Sequence, residues 1–336
     1  MMQNLLENFE KHLFRQAFFK PREKILIACS GGPDSVALVH LLKDLAPFYS
    51  WKLGVLHFNH RLRSAAKDDE RFVRDLAKKM KLPFFNGAGD VVREAGKNKH
   101  SIEEAARAMR YTFFTKAAKR MNSKVALAHT LDDQAETVLM RVLQGTGLRG
   151  LQGIRETNRM NGIVFARPLL IFTKKEILSF LRFRKIRYRK DESNDSLQFV
   201  RNRIRLKLLP MLRRDFNPRV VESLARIPAI VKEENSLLDQ LEKDAWRKTV
   251  KKGKRKGLEL KRSIFMSLPG PLQFRVLEKA LKKLDLRSGL SFEAWARIRA
   301  GLSRSRNCWS LPKDIDFSLT PKRIMVYKKK TWQKQV

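Results

Sequence analysis

Lys24-Ile25-Leu26-Ile27-Ala28-Cys29-Ser30-Gly31-Gly32-Pro33-Asp34-Ser35 decides the fold. Its first half is a nearly unbroken apolar run, the pattern of a strand buried on both faces of a parallel sheet. The second half turns on two glycines and leads into Val36-Ala37-Leu38-Val39 and Leu41-Leu42, the start of a helix. The amides of a glycine turn, joined to the free amides of a first helical turn, form a cradle for an anion. Ser30 and Ser35 add hydroxyl donors. Pro33 suits the first helical position, where a missing amide costs little. The string lacks both the G-x-G-x-x-G of a dinucleotide site and the terminal G-K-S/T of a Walker loop. An acid inside a phosphate cradle needs a cation, so Asp34 is the first candidate magnesium ligand.

Outward from this stretch the same alternation continues. Leu53-Gly54-Val55-Leu56-His57-Phe58 reads as a second strand, residues 68–81 as an amphipathic helix and Leu82-Pro83-Phe84-Phe85 as a short third strand. Ser101 is expected to cap a helix reaching Arg120, with Glu104 completing a capping box. Lys124-Val125-Ala126-Leu127-Ala128 is the fourth strand and residues 134–143 the next helix. This β-α-β-α rhythm predicts an α/β fold, doubly wound about a mainly parallel sheet with right-handed crossovers. Residues 145–162, rich in glycine, read as a mobile loop. Thr173 and Glu176 announce a helix over 172–184. A basic helix over 201–212 is expected to stop near Pro210, and a helical stretch over 220–250 to break at Pro228. Asp316-Phe317-Ser318-Leu319 and Arg323-Ile324-Met325-Val326-Tyr327 read as a closing β-pair. The expected division is a catalytic domain over 1–215, a helical linker over 216–250 and a smaller helical C-terminal domain over 251–336.

The 336 residues hold 72 Lys plus Arg against 34 Asp plus Glu, a formal net charge of +38. Such an excess opposes compaction by self-repulsion and points to a polyanionic partner, nucleic acid first and an anionic membrane surface second. Proteome-wide basicity is the alternative that needs no partner. Two cysteines, Cys29 and Cys308, exclude an all-cysteine zinc site and a framework of several disulfides. They fit a reduced, cytoplasmic setting. No secretory pattern opens the chain, and no apolar run approaches the roughly 18 residues of a membrane span. With 43% hydrophobic residues this is not a disordered basic tail.

A second acidic group follows the fourth strand. His129 stands at the strand's C-terminal end, where open α/β sheets bind ligands. Asp132 and Asp133 are expected to cap the next helix, their charges toward its positive end, with Glu136 a turn further in. Arg107 and Arg110 lie three apart and share a helix face. Beside a phosphate cradle such a pair can clamp phosphate or steady an adenylate. Arg203 and Arg205, two apart, point differently. Arg182-Phe183-Arg184-Lys185-Ile186-Arg187-Tyr188-Arg189-Lys190 interleaves cations with aromatic and aliphatic side chains, a surface that can meet backbone phosphate and stack a base. The runs at 251–256 and 328–330 are further basic patches. Each alone reads as a solvated face; together with the net charge they favour RNA contact. No RRM, KH or zinc-finger pattern is present, so recognition by shape is expected, with a base unstacked into the cleft.

The 30–35 loop resembles the pyrophosphate-binding loop of the N-type ATP pyrophosphatases, which split ATP to AMP and pyrophosphate while adenylating a carbonyl oxygen. Within that superfamily the chain resembles the tRNA(Ile)-lysidine synthetases. The resemblance runs through His57-Phe58-Asn59-His60-Arg61-Leu62-Arg63, Ala105-Ala106-Arg107 with Arg110-Tyr111, and Ala128-His129-Thr130-Leu131-Asp132-Asp133-Gln134-Ala135-Glu136-Thr137. Arg167-Pro168-Leu169-Leu170, Asp191-Glu192-Ser193-Asn194 and Arg201-Asn202-Arg203-Ile204-Arg205 follow in family order. It implies that ATP and Mg2+ bind at Ser30, Gly31, Gly32, Asp34, Ser35, His57 and Asn59, with Asp34 and Asp133 converging on the metal. It implies catalytic roles for Asp34, His129, Asp133, Arg107, Arg110 and Arg205. The basic, interleaved composition is what points to tRNA contacts at Arg184, Arg187, Arg189 and Lys190, with Arg201 and Arg203 expected to join them. The implied substrates are a tRNA(Ile) with a CAU anticodon and free L-lysine. The implied reaction joins lysine to C2 of the wobble cytidine through an adenylated base. The C-terminal domain is expected to bind tRNA; a homodimer is left open, and no membrane partner is expected. A thiolase would call for an iron–sulfur cluster or reactive thiols, and the chain has no C-x-x-C. An amide-forming synthetase fits the loop but leaves the charge unexplained. A non-catalytic RNA-binding protein would have let Asp34 or the 129–137 block decay.

Overall fold

The computed structural model describes residues 3–61, 66–98, 101–189, 197, 199–252, 257–284, 290–303, 308–311 and 315–328. Lys190, the 191–194 motif, Leu62-Arg63 and most of the 251–256 and 328–330 basic runs lie outside the described residues. Two compact units divide the chain, Met1–Val231 and Lys232–Val336.

In the first unit, strands β1 (Lys24–Ala28), β2 (Lys52–Asn59), β3 (Phe84–Ala88), β4 (Lys124–Ala126), β5 (Thr157–Met160) and β6 (Ile163–Ala166) form one sheet in the order β3-β2-β1-β4-β6-β5. All neighbours are parallel except β5, which runs against β6 at the edge. Helices α1 (Gln3–Arg15), α2 (Pro33–Tyr49), α3 (Ala66–Lys79), α4 (Val91–Asn98), α5 (Ile102–Met121), α6 (Leu131–Leu143), α7 (Leu148–Leu151) and α8 (Lys174–Phe183) follow in chain order. The apolar run of β1 is explained by burial on both sides. Ile25 and Ile27 pack with α1, α2, α3 and α8 on one face, while Leu26 meets Tyr111 and Phe114 of α5 on the other. The capping boxes at Ser101–Glu104 and Thr173–Glu176 form as the spacing predicts.

Three expectations are corrected. Residues 145–162 are not a bare loop: they carry α7 and most of the β5–β6 hairpin. Its turn is Asn161-Gly162, with φ of 50° and 85°. Asn-Gly between two short apolar-containing runs is a strong hairpin signal, since both turn residues need left-handed backbone. Pro210 does not stop its helix. Between α9 (Val200–Arg203) and α10 (Leu209–Asp215) the backbone widens into a π-helical turn, Ile204–Leu208, where the Leu209 amide reaches back to the Ile204 carbonyl. The wider turn accommodates the proline's missing donor. Likewise α11 (Val220–Thr249) runs through Pro228 as one helix, at the cost of a single backbone bond.

In the second unit the expected pair of strands, β10 (Ile315–Leu319) and β11 (Arg323–Lys328), is antiparallel with Phe317 opposite Val326. It does not stand alone. β7 (Val250–Lys252), β8 (Leu258–Lys261) and β9 (Cys308–Leu311) join it in the order β7-β8-β11-β10-β9. Helices α12 (Arg262–Ser267), α13 (Gly270–Lys283) and α14 (Phe292–Ser303) pack Phe265, Val276, Leu281 and Ile298 against Leu260, Phe317 and Val326. Among the described residues no helix is long and apolar enough to cross a membrane.

Candidate active site

β1 and β4 are hydrogen-bonded neighbours, yet the chain runs outward from β1 through β2 and β3 before returning to β4 on the other side. Such a reversal opens the crevice in which α/β sheets bind ligands. The 30–35 loop leaves β1 and the 129–133 segment leaves β4, so both line this crevice.

Ser35 organises the loop. Its Oγ donates to the Gly32 carbonyl at 2.9 Å and accepts from the Ser30 amide at 3.2 Å. Gly31 has φ of +92°, and a Cβ there would lie 3.4 Å from Phe72 and 3.5 Å from Val73 of α3. The backbone conformation calls for glycine, while Phe72 and Val73 stand at ordinary contact distance. Helix α2 starts at Gly32 and Pro33 without a side-chain cap, so no side chain competes for its first-turn amides.

Asp34 sits in that first turn with Oδ1 buried and without a hydrogen-bond partner. Burial, with Asp133 and Asp132 adding to it, pushes its pKa up to about 6 against the pull of Lys174 and Arg205. Asp34 and Asp133 thus lie within electrostatic reach of each other. An orphaned carboxylate oxygen fits a cation. Among the described residues no group of three or more His, Cys, Asp or Glu could hold a metal by itself. Asp34 with phosphate oxygens and water is the donor set that magnesium usually takes.

This shift has a measurable sign. Asp34's folded pKa of about 6 exceeds the ordinary 3.8, so between those values the folded state keeps a proton the unfolded chain has lost. Stability falls as pH rises through that window, and the penalty is complete above it. Asp34→Asn removes it. The variant is expected to melt above wild type at neutral pH, with the difference vanishing below about pH 4, as thermal melts across pH would record.

Asp133 is more occupied. Its Oδ2 accepts from the Thr130 amide at 2.9 Å and hydroxyl at 3.0 Å, closing a capping box in which Thr130 is the N-cap. Its Oδ1 accepts from Arg201 at 2.9 Å and Arg205 at 3.4 Å. Burial opposes its ionisation, but Arg201, the Thr130 amide and Arg205 outweigh burial and hold the carboxyl below the usual range. Asp133 offers Oδ1 to a cation only in exchange for an arginine. Asp132, expected as a cap of α6, instead accepts the Lys174 amide at 2.7 Å and so ties α6 to the start of α8.

Glu136 is only 2% exposed and had no assigned role from the sequence. It accepts from Arg201 Nε at 2.9 Å and from Arg205 Nε at 2.5 Å. Arg201 thus joins Arg205 on the carboxylates of Asp133 and Glu136. The two arginines are four apart, on one helix face. Arg203 points elsewhere, toward the Leu197 carbonyl at 3.3 Å.

His129 is half-buried, with Nδ1 itself buried and unpartnered; burial first, then Arg167, Arg201 and Arg110, hold its pKa well down despite Asp133. It is neutral at physiological pH. Arg110 is pulled below the usual guanidinium range by burial, with Arg107 and Arg201 near it. Arg107 is exposed and stacks over Tyr111 at 5.1 Å. Two residues were not singled out from the sequence. Arg167, 4% exposed, donates to the Arg155 carbonyl and to Asn158, each at 2.8 Å, and its Nε has no partner. His60 has an unpartnered, buried Nδ1 and a pKa lowered to about 4 by burial, Arg110 and His57. Both stood inside quoted motifs, and burial marks them.

His57 donates from Nδ1 to the Cys29 carbonyl at 2.9 Å, since a carbonyl can only accept, which fixes its tautomer. Asn59 holds its own loop: Nδ2 donates to the Ala66 carbonyl at 3.2 Å and Oδ1 accepts the Arg61 amide at 3.0 Å. Arg184 pairs with Asp44, and Arg187 is exposed. Arg189 contacts the loop itself, donating its amide to the Gly31 carbonyl at 2.9 Å.

A PP-loop domain model matches residues 2–212. A tRNA(Ile)-lysidine synthase from Symbiobacterium thermophilum is 34% identical over 328 residues, spanning 94% of this chain and 67% of that one. Another, from Petrotoga mobilis, is 36% identical over 232 residues, spanning 68% of this chain and 73% of that one. The chain belongs to the tRNA(Ile)-lysidine synthase family. It is accordingly an ATP-dependent ligase with its ATP site at the PP-loop. A U34-tRNA thiolase from Methanococcus maripaludis, solved with its 4Fe-4S cluster, superposes with a TM-score of 0.58 at 15% identity over 68% of this chain and 80% of that one. At that identity the likeness concerns the fold alone, while membership of the lysidine synthase family rests on sequence.

Proposed function

We propose that this ligase joins free L-lysine to C2 of the wobble cytidine of a tRNA(Ile) with a CAU anticodon. The observation that carries the reading is Asp34: a buried carboxylate oxygen without a partner, inside an uncapped amide cradle, facing Asp133, Lys174 and Arg205 across the β1–β4 crevice. In the first step the C2 carbonyl oxygen attacks the α-phosphorus of ATP. The bond to the β-phosphate breaks, and pyrophosphate leaves into the amides of 30–35. In the second step the lysine ε-amine attacks C2, the C2–O bond breaks, AMP leaves and the amine gives up a proton. Adenylation is needed because a ring carbonyl oxygen is a poor leaving group.

Asp34 would hold magnesium, which when bound supplies charge neutralisation for the triphosphate. Arg110, within electrostatic reach of His129, with Arg107 beside it on α5, and Arg205 on the π-helical turn would act as fixed cations that stabilise charge on the α-phosphate. Neutral His129 can hydrogen-bond there without adding charge. The lysine amine, with an ordinary pKa near about 10.4, must be neutral to attack. Sulfur transfer has less support, because Cys29 is buried and burial raises its thiol pKa, leaving little thiolate. On this reading residues 1–215 carry catalysis, 251–336 bind tRNA, and the enzyme works in the cytoplasm.

Pyrophosphate release from ATP is expected to be strongest with CAU-anticodon tRNA(Ile), and tRNA binding to weaken steeply with salt. With about 6 to 10 phosphate contacts, affinity falls by about three to five powers of ten between about 50 and 200 mM salt. Filter binding across salt concentrations gives the slope. A flat dependence would leave the +38 charge to proteome-wide basicity.

A further inference from the structure

We infer that Arg189 is a positioning residue for the PP-loop, not an RNA contact, and that with Asp69 it sets the strength of ATP binding. Three observations converge on Gly31. The Arg189 amide donates to the Gly31 carbonyl at 2.9 Å. The Arg189 Nε donates to Asp69 Oδ1 at 3.1 Å, on a carboxylate side chain only 11% exposed. A Cβ on Gly31 would lie 3.6 Å from Arg189 Cγ, as well as against Phe72 and Val73. Asp69, Phe72 and Val73 are three and four apart, so a single face of α3 both walls Gly31 and grips Arg189. The segment after α8 is thereby strapped across the back of the loop.

The consequence lies in the peptide joining Gly31 to Gly32. In a trans peptide the carbonyl and the following amide point in opposite directions. Anchoring the Gly31 carbonyl on Arg189 therefore aims the Gly32 amide away from the strap. That amide's present partner is Ser30 Oγ at a long 3.4 Å, which a phosphate oxygen can replace. Glycines at 31 and 32 leave this peptide free to flip, so the restraint must come from outside the loop. Arg187 is different: it is exposed and makes no ion pair among the described residues, as a phosphate-backbone contact should.

The test is a double-mutant cycle read by titration calorimetry of ATP with magnesium. Arg189→Ala and Asp69→Asn are each expected to weaken ATP binding about tenfold, and the double variant no further than either alone, because both remove one tether. Arg189→Lys, which keeps a cation within reach of Asp69, should stay within about threefold of wild type; this also separates loss of the tether from loss of the fold. In filter binding with CAU-anticodon tRNA(Ile), Arg189→Ala should keep the wild-type salt slope, whereas Arg187→Ala should reduce it by about one. Unchanged ATP affinity in Arg189→Ala, or fully additive losses in the cycle, would overturn the inference. So would a slope reduced in Arg189→Ala as in Arg187→Ala. The RNA arm rests on the proposed function, and the ATP arm does not. A wild-type protein that binds ATP but not this tRNA sinks that function and leaves the ATP cycle to decide Arg189.

Discussion

Asp34→Asn is expected to lower pyrophosphate release from ATP by about a thousandfold without lowering the melting temperature. Removing one preorganised group that meets developing charge costs about a hundred- to a thousandfold in other enzymes, and Asp34 would also take the metal's protein ligand with it. The substitution is nearly isosteric, and it removes a buried charge that has no hydrogen-bond partner on Oδ1. The fold therefore gains where the chemistry loses. This opposition separates a functional carboxylate from a structural one, because a structural aspartate would lose stability when neutralised. Isotope-traced pyrophosphate release, run beside thermal melts, measures both. Near-normal turnover in Asp34→Asn would end the metal role assigned to it.

Glu136→Gln is expected to do the reverse and strike stability first. Its carboxylate takes three hydrogen bonds from Arg201 and Arg205, at 2.5 to 2.9 Å, with almost no solvent contact. Breaking a buried ion pair by removing one partner costs about 3 to 5 kcal/mol. Both arginines keep some water, with side chains 28% and 26% exposed, and Asp133 remains, so about 3 kcal/mol is the expected loss. For a unit of this size that lowers the melting temperature by about 6 to 12 °C. A drop below about 2 °C in a thermal melt would mean that water already satisfies the arginines. The activity lost should exceed what unfolding explains, because Arg201 and Arg205 would then be free to reorient around Asp133.

What the sequence made legible is what local rules govern. The apolar run of β1, the glycines of the loop and the boxes at Ser101 and Thr173 are each decided within a few residues, and each stands where the spacing put it. The Asn161-Gly162 hairpin was equally local; the surrounding glycines masked it. Long-range pairings were beyond reach. Arg201 meets Glu136 across 65 positions and Asp132 meets Lys174 across 42, and no periodicity relates them. The segment 182–190 shows the limit from the other side. Its composition reads as one basic surface, yet Arg184 is paired with Asp44, Arg189 with Asp69 and the PP-loop, and Arg187 is left exposed. Composition counts cations; only the fold says which are already spent. β7, β8 and β9 escaped for a related reason, since short strands in a mixed pattern acquire meaning from the sheet that completes them.

Incorporation of lysine into RNA decides whether this ligase acts on the wobble cytidine. Purified protein, ATP, magnesium and labelled L-lysine would be incubated with unmodified CAU-anticodon tRNA(Ile), and the digested RNA analysed by nucleoside mass. Lysidine at the wobble position is expected, one lysine per tRNA, with AMP and pyrophosphate in equal amounts. Methionine tRNA, which shares the CAU anticodon, should remain mostly unlabelled. ATP consumed with no lysine in the RNA would contradict the substrate assignment and leave only the PP-loop chemistry.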